Sequence, residues 1–177
     1  MQGWRSDGEI DQGANLVTQG ELLSDELRRA LRGEAWHGPS IQELVAPLTA
    51  EEAMQRPIPA AHNIWELVVH ITSWSNIALR RINGGQVEPY EGEDWPEVHD
   101  FSDTRWSEAR EALTQSYERL SEVVLGMTDA ELSVNAPKSN RSIAGMVSGV
   151  AQHTAYHGGQ IAILRKAVTT QHRRAAL

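Results

Sequence analysis

The stretch Ser142-Ile-Ala-Gly-Met-Val-Ser-Gly-Val-Ala-Gln-His153-Thr-Ala-Tyr-His157-Gly-Gly-Gln160-Ile-Ala-Ile-Leu164-Arg-Lys-Ala-Val168 decides the fold class. Ile143, Val147, Val150, Thr154, His157, Ile161, Leu164 and Val168 follow one another in alternating steps of four and three. That period predicts a helix from Ser142, its cap, to about Val168, with one long buried face. A face of that length needs other helices to cover it, because no segment alternates with period two long enough to be a strand.

Three more helices are legible upstream. From Leu16, the residues Leu23, Leu27, Ala30 and Leu31 share one side, with Gly33 and then Gly38-Pro39 as stops. Asn63-Ile-Trp-Glu66 caps a second long helix with the stripe Ile64, Leu67, Val68, Ile71, Trp74, Ala78 and Ile82, ended by Asn83-Gly84-Gly85. A third runs from about Asp103 to Leu125 through Trp106, Leu113, Tyr117, Leu120 and Val124. Ser40-Ile-Gln-Glu43, Thr49-Ala-Glu-Glu52 and Thr128-Asp-Ala-Glu131 each have the capping-box pattern of a short helical turn. Thr49 precedes Asn63 by the same interval as Thr128 precedes Ser142, which suggests two related halves or a coincidence. Four long amphipathic helices with some long connections read as an all-α four-helix bundle over residues 14–168. Residues 1–13 are expected to be a flexible arm, and residues 169–177 a basic tail. The segment 86–100, rich in Asp and Glu, is expected to be a long loop that either works or serves as a solvated connector.

Composition narrows the function. The chain has 177 residues, 16 Lys plus Arg against 24 Asp plus Glu, and a formal charge of −8. Nucleic acid and anionic membrane surfaces both select for a basic footprint, so neither is an expected partner. Cysteine is absent, which removes disulfides, thiolate metal sites and a cysteine nucleophile. No stretch suits a transmembrane helix or a signal peptide, and a cytoplasmic setting is expected.

The chemistry lies in histidine. His153 and His157 are one turn apart on one face, and His157 belongs to the apolar stripe. Imidazoles aimed into a bundle core are costly unless something satisfies their nitrogens, and a divalent metal does so. His70, between Leu67 and Trp74 on the second helix, is the candidate third ligand. Three imidazoles leave an open position of the catalytic type. Thr154 occupies the place where a zincin motif needs Glu, so no peptidase is expected. His37, Tyr156 and Gln160 are candidate substrate contacts. Glu66 is expected to serve its cap rather than His70, and His62 to be structural. His99 is a rim candidate, and His172 is expected to be solvated. Of the six Trp residues, most are expected to fill the core.

The segment His62-Asn-Ile-Trp-Glu-Leu-Val-Val-His70-Ile, with Trp74, resembles the second-helix signature of the DinB/YfiT-like family. The segment His153-Thr-Ala-Tyr-His157-Gly-Gly-Gln160-Ile resembles its fourth-helix signature, and Trp36-His37-Gly38 with Ser40-Ile41 a loop of one branch. The likeness covers roughly residues 16–168. It implies an up-down-down-up bundle, often a homodimer, with nickel or zinc on His70, His153 and His157. It also implies a small-molecule substrate: relatives include thiol S-transferases using low-molecular-weight thiols, a thiol-dependent isomerase and hydrolases. Three hypotheses follow. The chain is a metal-dependent thiol transferase or hydrolase, a non-catalytic metal and small-molecule-binding bundle, or a plain helical dimer with empty histidines.

Overall fold

The computed structural model describes residues 17–175, with side chains up to Thr170. The proposed arm, residues 1–13, lies outside the described residues, as does Leu16. The chain forms seven helices among the described residues: α1 (Gln19–Arg32), α2 (Ile41–Val45), α3 (Ala50–Met54), α4 (Ile64–Ile82), α5 (Asp103–Leu125), α6 (Asp129–Ser133) and α7 (Ile143–Ala175). No strand occurs among them; two isolated bridges, Ala35 with Gly38 and Asn135 with Ser142, tie off turns.

Local chemistry sets the helix starts. Capping boxes at Ser40/Glu43, Thr49/Glu52, Asn63/Glu66 and Thr128/Glu131 each satisfy two otherwise orphan amides reciprocally. Ser142 Oγ accepts from the Gly145 amide at 3.1 Å and opens α7. A fifth box, Thr18/Glu21, starts α1 later than the apolar pattern alone suggests. At the other end, α7 does not stop near Val168 to release a tail: it continues to Ala175. Nothing in residues 169–174 breaks a helix, and the Thr169 and Thr170 hydroxyls fold back onto the carbonyls of Arg165 and Lys166.

The four long helices enclose one core. α1 packs on α5 and α7, and α4 packs on the same two helices. The expected stripes are the buried faces: Leu27, Ile64, Val68, Ile71, Leu120, Val124, Val147 and Ile161 lose essentially all solvent contact. Trp65 and Trp106 are buried against each other, with ring centres 5.0 Å apart, and the Trp106 indole N–H donates to the Leu48 carbonyl at 2.9 Å. The other two tryptophans of the central region, Trp74 and Trp95, are only half-buried. Gly20 lets α1 and α5 approach closely, since a Cβ there would sit 2.8 Å from the Val124 carbonyl oxygen. At the end of α4, Gly84 adopts φ +79° and rests against Pro137, just before α7 begins. On α4 and α5, Trp65 meets Trp106 and the Ser75 hydroxyl donates to the Ser116 carbonyl.

Candidate metal centre

His70 and His157 point into the bundle because their positions belong to the buried faces of α4 and α7; they are 4% and 6% exposed. His153, one turn before His157, faces both. Its Nε2 lies 3.1 Å from His70 Nε2 and 3.0 Å from His157 Nε2.

The outer nitrogens of two of these rings are already engaged. His70 Nδ1–H donates to the Asp94 backbone carbonyl at 2.6 Å, with the Asp94 carboxylate 3.5 Å away. His157 Nδ1–H donates to the Gln160 side-chain oxygen at 3.0 Å. Those partners assign the tautomer: both rings turn an Nε2 lone pair inward. His153 can offer one proton from its own Nε2 to one neighbour and no more, so three ring nitrogens crowd together with too few hydrogens between them. His153 Nδ1 is buried with no hydrogen-bond partner. This donor set fits a cation, and the three side chains form a group able to hold a divalent metal ion. The engaged outer nitrogens are the arrangement that orients metal-ligating imidazoles.

Burial keeps all three rings neutral. It holds His70 and His157 below the ordinary histidine value, and it takes His153 down to about 4, with the neighbouring His157 and His70 adding to the effect. A ring that stays unprotonated at neutral pH has its lone pair free for a metal.

The acidic loop proves to be part of the centre. Its far end folds back over α4: Arg80 pairs with Glu93, and the Ser73 hydroxyl donates to the Glu93 carbonyl. Trp74 Nε1–H donates to the Asp94 carboxylate at 2.6 Å. The Trp95 ring then lies flat between two imidazoles, 3.7 Å from His70 and 3.6 Å from His62. Asp94 and Trp95 therefore position His70, a role the sequence reading did not assign. The available signal was a lone tryptophan among carboxylates, in a loop too long to be a simple connector.

The remaining expected residues divide. Gln160 supports His157. Tyr156 is 66% exposed, with its ring edge-on to His157 at 5.0 Å between centres, and neither it nor Gln160 lines the cavity beside the histidines. His37 is exposed in the turn 35–38 and does not line the cavity beside the histidines. Glu66 completes its capping box and accepts from His62 and Arg56, as its cap position suggests. His99 is exposed beside Glu97. The side chain of His172 lies outside the described residues. Thr154 is buried, with its hydroxyl bonded to Tyr117 and to the Val150 carbonyl, so it faces the core and not the three histidines.

A cavity of about 470 Å³ opens beside the centre, bounded there by His70, His153, Trp74 and Asp94. Its size is that of a small-molecule site. The DinB superfamily model matches residues 36–161, a span that includes all three histidines. The chain belongs to the DinB superfamily. No curated protein and no solved structure gives a significant match. Among the described residues of this DinB chain, no helix is long and apolar enough to cross a membrane.

Proposed function

We propose that this DinB-superfamily chain holds a nickel or zinc ion on His70, His153 and His157 and uses it to act on a small molecule, as a thiol S-transferase. The observation that carries the reading is the convergence of three Nε2 atoms, with neighbours 3.0 and 3.1 Å apart, while the outer nitrogens of two rings are held by Asp94 and Gln160. A bound divalent metal supplies Lewis acidity that lowers the pKa of a coordinated thiol or water. The protein's own residues do the rest. Asp94 and Gln160 fix two rings, Trp95 covers the face of His70, and the open cavity admits a ligand. A thiol co-substrate fits a chain with no cysteine of its own, and the cytoplasm, where such thiols are kept reduced, is the setting we infer. Homodimer formation enters from the family resemblance alone.

The proposal takes the four long helices as an up-down-down-up bundle. Contacts that advance together along α4 and α5, from Trp65–Trp106 to Ser75–Ser116, support this. So does the meeting of the end of α4 with the start of α7 at Gly84 and Pro137.

The test is elemental analysis of untagged protein, then titration with nickel and zinc. One equivalent of tightly held metal is expected, and His157→Ala should weaken it by at least about tenfold with helical circular dichroism unchanged. No metal on purification and no affinity on titration would remove the reading. Turnover of low-molecular-weight thiols with electrophiles, with and without metal, then separates transfer from hydrolysis or plain binding.

A further inference from the structure

The cavity beside the histidines continues away from them along the seam between α4 and α7. Gly84 against Pro137 places the end of α4 beside the start of α7, so residues later on α4 meet residues earlier on α7. Past His70 and Trp74 on one wall comes Ala78, and past His153 on the other come Val150 and Met146. The floor is left open by Gly145 and Gly149; a Cβ at Gly149 would meet nothing within 4 Å. This middle section is therefore apolar.

The far end is cationic. Arg81 and Arg141 both line it, one from each side of the seam. About three turns of α4 separate the backbones of His70 and Arg81, roughly 16 Å along the helix axis, and the Arg81 side chain reaches back from there toward Trp74. Arg81 is held in place: its Nε–H donates to the Val87 carbonyl and its guanidinium lies over the Trp74 ring, 5.4 Å from the centre. The backbone of Arg141 is fixed by the turn before α7, where Ala136 N–H donates to the Arg141 carbonyl and Ile143 N–H to the Val134 carbonyl. Among the described residues no carboxylate lies within ion-pair distance of either guanidinium. Glu93 feels the charge of Arg81 but its carboxylate accepts its hydrogen bonds from Arg80, and the Asp94 carboxylate accepts from the Trp74 indole N–H. Two arginines with no ion-pair contact among the described residues thus close an apolar trough, on a chain of net charge −8. Guanidinium groups bind carboxylate and phosphate through charge-assisted hydrogen bonds.

We infer that the cavity selects an amphipathic anion: a small molecule whose carboxylate or phosphate is held by Arg81 and Arg141, whose short apolar body lies over Gly145 and Gly149, and whose other end reaches the histidine centre. Its reading as the substrate site rests on the metal proposal above; the anion preference does not.

Isothermal titration of the full chain with hexanoate, hexyl phosphate and hexanol, each with and without one equivalent of zinc, tests both. At least one of the two anions should bind about tenfold or more tightly than the alcohol, in either metal state, and the better one names the head group. Arg141→Gln, at an exposed position, should remove about tenfold of that preference, as should Arg81→Gln, and high salt should weaken the anion alone. Equal binding of anion and alcohol, or a preference that survives both substitutions, would overturn the inference. Zinc binding without anion preference removes this inference and leaves the metal centre standing. Anion preference in a chain that takes up no zinc does the reverse.

Discussion

Thr154 marks the boundary between core and site at the level of one residue. It sits between the two ligating positions on α7 yet turns the other way, because a helix places consecutive residues about a hundred degrees apart. Its hydroxyl gives its proton to the Val150 carbonyl at 2.8 Å and accepts from the Tyr117 hydroxyl. Burial raises the Tyr117 phenol far above its ordinary value, so it stays protonated and acts as a donor. Thr154→Val removes the acceptor that phenol has among the described residues and is expected to cost about 1–3 kcal/mol in urea unfolding. Tyr117→Phe leaves the Thr154 hydroxyl its bond to Val150 and should cost less. If the double variant is no more stable than Thr154→Val alone, the cost does not come from an unpaired phenol. The residue-scale reason that the side chain at 154 turns away from His153 is the same: the position belongs to the core.

Among the elements, the connection from α4 to α5 bears most directly on the histidine cluster. A run of Glu and Asp with two prolines has no period, and its local bonds, such as the turn in which the Glu93 amide donates to the Tyr90 carbonyl, do not aim it at α4. The path is set by what it meets on α4: Arg80 takes the Gln86 carbonyl and the Glu93 carboxylate, Arg81 the Val87 carbonyl, Ser73 the Glu93 carbonyl, and Trp74 and His70 the two acceptors of Asp94. Trp95 closes the fold-back by stacking on His70 and His62. Trp95→Ala keeps the Asp94 carbonyl but loosens the loop that presents it. Nickel or zinc affinity, measured by competition with a chromophoric chelator, should fall about tenfold, since support residues of metal ligands contribute on that scale. Unchanged affinity would reduce Trp95 to packing. The two short-turn-plus-long-helix units, α3 with α4 and α6 with α7, deliver His70 and the His153/His157 pair respectively, so the equal cap intervals in the sequence correspond to the two units that supply the candidate ligands.

For the whole molecule, the centre ties stability to pH. An unfolded histidine takes up its proton near the ordinary value of 6.5, while folded His153 does so only at about 4. Between those values the unfolded chain binds more protons, so metal-free stability falls as pH drops through that window and is fully present above it. His153 alone sets a ceiling of roughly 3 kcal/mol, reduced by the part of the ring that water reaches; His70 and His157 act in the same direction. Urea midpoints of chelator-treated protein at about pH 7 and about pH 4.5 should show the loss, and His153→Gln should flatten it. A slope unchanged by that substitution would place the pH dependence elsewhere. The amino-acid sequence by itself determined which residues are helical and which faces turn inward, because period and capping are properties of neighbouring residues; His70, His153 and His157 were legible for that reason. It did not determine that the three Nε2 atoms meet, that residues 93–95 lie over His70, or that Arg81 and Arg141 share one end of a seam. Those facts join residues far apart in the chain, and only the packing of α4 against α7 and the folding-back of an aperiodic loop bring them within reach of each other.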